Sequence, residues 1–107
     1  MKLINKELLE AFEAQGDTSQ KHAEDIQVIA KFFNPTGPGN WYAVEYYPEA
    51  RIFFGYANLG DPEMAELGTF SLDELQDFKG RFGLGIERDL HFHDKTLKDV
   101  MDARGMI

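Results

Sequence analysis

The chain contains no cysteine, which excludes a disulfide framework and thiolate metal ligands and suits a reducing compartment. Long apolar runs are missing too. The longest uncharged segment, 32–44, is interrupted by Asn34, Pro35, Gly37, Pro38, Gly39 and Asn40 and cannot span a bilayer. The opening residues Met1-Lys2-Leu3-Ile4-Asn5 turn polar at once, without the apolar stretch of a secretory signal. These absences point to a soluble, cytoplasmic protein. Positive charge is scarce: 11 Lys and Arg stand against 19 Asp and Glu, for a net charge of -8. No basic stripe is available for phosphates, which argues against direct nucleic-acid binding. Ser71 lacks the flanking glycines of a nucleophile elbow, and Gly83-Leu84-Gly85 follows a helix with none opening behind it, so it reads as a bend and not as a phosphate loop.

What is present suffices for one core. A chain of 107 residues buries roughly two-thirds of its unfolded surface, and with 9 Phe, 4 Tyr and 1 Trp it has the apolar content to do so. A single domain over residues 1–107 is expected. Asn5 reads as the N-cap of a helix over 6–15, with Leu8, Leu9 and Phe12 as its stripe and Gly16 as its stop. Residues 25–33 alternate Ile26, Val28, Ala30 and Phe32 against Gln27, Ile29, Lys31 and Phe33, the pattern of an inner strand. Runs over 41–47 and 51–57 form a hairpin through Pro48-Glu49-Ala50. A short strand over 67–70 leads into Ser71-Leu72-Asp73-Glu74, a capping box that opens a helix running to Lys79. A strand over 86–92 and a last helix, capped by Asp94 or Thr96, complete the chain. The fold class is α+β: a small, mostly antiparallel sheet of four or five strands with three helices packed on it.

The charge is unevenly placed. Between Glu45 and Asp77 lie eight acids and one base, Arg51, so this stretch holds seven of the eight net negative charges. Asp73 and Glu74 suit the first turn of a helix, Asp61 a turn before Pro62, and Glu45 a partial neutralisation by Arg51 across the hairpin. Glu49, Glu63 and Glu66 have no such explanation. Strand alternation puts Trp41, Glu45 and Tyr47 on one side of the hairpin, where they form an aromatic and acidic surface unless a helix covers them. Another cluster is Glu87, Asp89, His91 and His93. On a strand the two histidines share a face, with carboxylates nearby as oxygen ligands.

Several blocks recur in a recognisable order: Lys31-Phe32-Phe33-Asn34-Pro35, then Asn40-Trp41-Tyr42-Ala43-Val44-Glu45-Tyr46, Phe53-Phe54-Gly55-Tyr56, 67–75 (LGTFSLDEL) and 83–89 (GLGIERD). Over about 31–97 the chain resembles the family called domain of unknown function 2958. His91 departs from the tyrosine associated with that position. The resemblance implies a small protein of plasmids, phages or integrated mobile elements, with no agreed activity or catalytic residues to carry over. No cofactor is expected. Three readings follow. The first is a non-enzymatic interaction module whose acidic face, Trp41, Glu45, Tyr47, Glu49, Glu63 and Glu66, docks on the basic surface of a protein partner. In the mobile-element setting that partner is a nucleic-acid-handling defence protein. The second is a small metal-dependent enzyme or ligand-binding domain around Glu87, Asp89, His91 and His93. The third is a homodimer through the Trp41 and Tyr47 face.

Overall fold

The computed structural model describes residues 2–107. Its centre is a five-stranded antiparallel sheet in the order β4-β3-β2-β1-β5: β1 Ala30–Phe33, β2 Asn40–Tyr47, β3 Ile52–Asn58, β4 Glu66–Ser71 and β5 Glu87–Arg88. Three helices accompany it, α1 Lys6–Gln15, α2 Leu72–Asp77 and α3 Leu97–Asp102. The fold is thus a small α+β arrangement. Among the described residues no helix is long and apolar enough to cross a membrane.

Both faces of the sheet are covered. On one, α1 and α2 bury Leu3, Ile4, Phe12, Leu72 and Leu75 against Ala30, Phe32, Ala43 and Phe53. The Phe53 ring is the hub of this side, with the rings of Phe12, Phe32, Tyr46 and Phe70 at 4.8 to 5.8 Å. On the other, α3 packs Leu97 and Val100 onto Tyr42, Val44 and Tyr56. The end of α3 is tied down by Asn40 Nδ2 donating to the Gly105 carbonyl at 3.0 Å and Asn58 Nδ2 donating to the Arg104 carbonyl at 3.1 Å.

The helices begin where local chemistry says they should. Asn5 accepts from the Leu8 N–H at 2.8 Å, and Gly16 closes α1 with φ 64°. The Ser71 hydroxyl accepts from the Glu74 N–H at 3.1 Å, while the full reciprocal box forms at α3 between Thr96 and Asp99. α2 stops at Asp77, two residues short of the expected Lys79, because Phe78 turns to extended backbone and is partly exposed.

Three expectations give way. The segment 25–33 is not one strand. A 3-10 turn covers Ala23–Asp25, Gln27 makes only a single bridge to Thr96, and Val28 N–H donates to Lys95 O. Ile26 and Val28 face α3 whereas Ala30 and Phe32 face α1, so the chain changes sides, and the alternation survives because both sides are buried. The strand over 86–92 shrinks to β5, two residues long. Finally, β2 carries a bulge: Ala43 opposes Gly55 and Glu45 opposes Phe54, leaving Val44 as the extra residue. Its carbonyl is satisfied by the Gln15 side chain, whose Nε2 donates to Val44 O at 2.7 Å and to Gln27 O at 2.8 Å.

Candidate functional site

β4 pairs with β3 in unbroken register, from Ile52 opposite Ser71 to Ala57 opposite Glu66. Its outer side pairs with no strand among the described residues. An open edge presents unmatched N–H and C=O groups, which proteins usually blunt with proline, lysine, a bulge or shortness. β4 spans six residues, Glu66-Leu67-Gly68-Thr69-Phe70-Ser71, with no proline, lysine or bulge, and its one charge is Glu66 at the Ala57 end. The opposite edge, β5, is blunted by shortness.

A hollow flanks β4 on each face of the sheet. On the side of α1 and α2, a depression of about 510 Å³ has walls of Trp41, Ala57, Leu59, Met64 and Phe70 and a rim of Asp61, Glu66 and Glu74. No Lys, Arg or His is among the described residues that line it. Gly68 is part of its lining. Gly55, directly opposite, is required by packing, since a Cβ there would stand 1.9 Å from the Tyr42 carbonyl oxygen. A Cβ at Gly68 would meet nothing within 4 Å. Packing does not demand Gly68, and a glycine inside a strand is often a place where another backbone or a ligand comes close.

On the side of α3, a cleft of about 470 Å³ runs between the sheet and the α3 helix, walled by Ile26, Phe54, Leu67, Leu97 and Met101. Glu45 lies at its polar end, 7% exposed. One carboxylate oxygen accepts from the Thr18 N–H at 2.7 Å and the Thr18 hydroxyl at 2.6 Å, and the other accepts from the Tyr47 hydroxyl. Burial pushes the Glu45 carboxyl toward its neutral form, but these donors outweigh it and hold the group below the ordinary carboxylate range. The hydrogen bond to Glu45 in turn pushes the Tyr47 phenol up to about 12.

The expected acidic and aromatic face therefore divides. The β2 bulge turns Glu45 and Tyr47 toward α3, while Trp41 stays on the side of α1 and α2, so the three do not share a surface. Arg51 does not neutralise Glu45; its Nε lies 2.7 Å from Asp73 Oδ1. Trp41 and Glu66 meet in the acidic hollow, joined by Asp61 and Glu74, which sequence reasoning had assigned to turn and helix chemistry alone. Glu63 pairs with Arg104 on the surface. Glu49 sits in the β2–β3 turn, beyond the Ile52 end of β3, whereas Glu66 is opposite Ala57. At ~3.4 Å per residue these two acids are on the order of 20 Å apart. Gly68 inside a strand was the one signal in the sequence that marks the hollow.

The histidine cluster does not assemble either. Because the strand ends at Arg88, alternation does not carry His91 and His93 to one face. Asp89 is occupied by Lys31 at 3.7 Å and by the His91 N–H at 2.9 Å, and His93 Nε2 lies 3.8 Å from Asp94. Among the described residues no group of three or more His, Cys, Asp or Glu side chains is placed to hold a metal ion.

No curated protein and no solved structure matches the chain. Residues 3–102 match the family described as a protein of unknown function (DUF2958), and the chain belongs to that family.

Proposed function

We propose that this protein is a non-enzymatic binding module that takes up an extended, basic segment of a protein partner along β4. The observation that carries the reading is the open six-residue edge beside a hollow lined by three carboxylates and by a glycine that packing does not require. Strand addition draws affinity from main-chain hydrogen bonds and specificity from pockets for alternate side chains. A Lys or Arg of the incoming strand lays its stem on Trp41 and Met64 and its head among Asp61, Glu66 and Glu74. The net charge of -8 speeds approach of a positive partner and disfavours a second copy of the chain. In the mobile-element setting that the family resemblance implies, the partner proposed is a nucleic-acid-handling defence protein whose basic surface is thereby occupied.

A labelled, capped peptide of alternating lysine and valine tests the reading by fluorescence anisotropy. It should bind, weaken by about tenfold or more from low to high salt, and lose binding in Gly68→Lys, which places a protein cation in the hollow. Glu66→Lys should weaken it, while Glu49→Lys, the same charge change at the other end of the sheet, should have little effect. Equal losses in Glu66→Lys and Glu49→Lys would reduce the effect to net charge, and unaltered binding to Gly68→Lys would remove the site.

A further inference from the structure

Glu45 is a buried carboxylate without a counter-ion. Its three hydrogen-bond donors, the Thr18 N–H, the Thr18 hydroxyl and the Tyr47 hydroxyl, are all neutral. Among the described residues no Lys, Arg or His comes within ion-pair distance of it. Among the described residues Lys21 is the one base lining the cleft, and its ammonium donates to the Gln15 carbonyl at 3.3 Å. Asp17, also in the lining, adds negative charge and not relief. Buried charges in proteins are as a rule paired.

Pinning the Thr18 loop to the sheet does not by itself require that charge, because a glutamine oxygen would also accept from Thr18, though more weakly than the carboxylate does. What the charge adds is an attraction directed into the cleft. The volume of about 470 Å³ lies in the range of small-molecule sites. The walls, Phe54, Leu97 and Met101, offer an apolar bed next to a negative end where Asp17 lines the cleft beside Glu45.

We infer that this cleft binds a small organic cation, an apolar or aromatic body carrying a single ammonium head that reaches the Glu45 carboxylate. The Tyr47 hydroxyl, already donating to Glu45, keeps a lone pair with which to accept from the same head. The cleft lies across the sheet from the acidic hollow; both touch Leu67 and Thr69 of β4, but Glu45 and Met101 line the cleft and not the hollow, so changes at those two residues test it separately.

Three probes, titrated into the protein and followed by backbone amide NMR shifts, test the inference: 2-phenylethylamine, its neutral counterpart 2-phenylethanol, and Nα-acetyl-lysine methylamide as a stand-in for a partner's side chain. The free amine should bind about tenfold more tightly than the alcohol, with shifts at Thr18, Tyr47 and Met101, and the capped lysine should bind no better than the alcohol. Glu45→Gln, its fold checked by circular dichroism, should bring the amine down to the alcohol. Met101→Trp, which fills the cleft from α3 without touching Glu45, should abolish binding of both and serves if Glu45→Gln does not fold. Equal binding of amine and alcohol, or a preference that survives Glu45→Gln, overturns the inference. So does amine binding that persists in Met101→Trp. A capped lysine that binds more tightly than the free amine overturns it as well, because the cleft is then a socket for a protein side chain.

Discussion

Gly55 and Gly68 face each other across β3 and β4, yet different constraints act on them. At Gly55 any side chain collides with the Tyr42 carbonyl, so Gly55→Ala should cost about 3 kcal/mol in urea unfolding. At Gly68 space is open and the backbone ordinary, so Gly68→Ala should be neutral or stabilise by about 0.5 kcal/mol through the unfolded chain. Loss of peptide binding in that variant, without loss of stability, would separate the hollow from the fold. Glu45 makes a prediction of another kind. Its folded value lies below the ordinary 4.5, so on the acid side the unfolded chain binds more protons than the folded one. The stabilisation is complete above the unfolded value and is lost as pH falls through the folded one. Glu45→Gln should therefore be the less stable protein at neutral pH, and the gap to wild type should narrow when urea midpoints are compared below the carboxylate range.

Among the elements, those fixed by near neighbours were legible in the sequence and those fixed by distant partners were not. α1 was readable from end to end because Asn5 and Gly16 set its limits through bonds a few residues away. The hairpin was readable from its turn and aromatic runs, but its two faces were not. Nothing in Ala43-Val44-Glu45 marks the bulge, which Gln15 supports from α1 by reaching across 29 residues to the Val44 carbonyl. For the same reason the shared surface of Trp41, Glu45 and Tyr47 could not be tested by alternation alone. The acidic stretch was visible as composition, but its division among an ion pair, a turn, a hollow and a buried cleft depends on register. Gln15→Ala should accordingly cost about 1 kcal/mol, since it leaves the part-buried Val44 carbonyl without its partner, whereas water can replace Gln15 at the exposed Gln27 backbone. At α3, Thr96→Ala should cost about 1 kcal/mol through loss of the reciprocal cap. Both are read from denaturation midpoints.

For the molecule as a whole, the sheet order sets a gradient of protection. β2 and β3 are paired on both sides, and hydrogen exchange should be slowest there, while the outward amides of the two edges, β4 and β5, should exchange fastest of the sheet. Addition of the alternating lysine and valine peptide should slow those β4 amides and leave β5 unchanged. Protection appearing elsewhere instead would place the docking surface off the edge. The inequality of the two edges also limits what the sheet can build. A filament of added strands grows only if every unit offers an acceptor at both ends, and β5, two residues long, offers none. Growth by addition of native strands therefore terminates after a single step, and the stub on the far side keeps the open six-residue strand from seeding a filament of folded molecules.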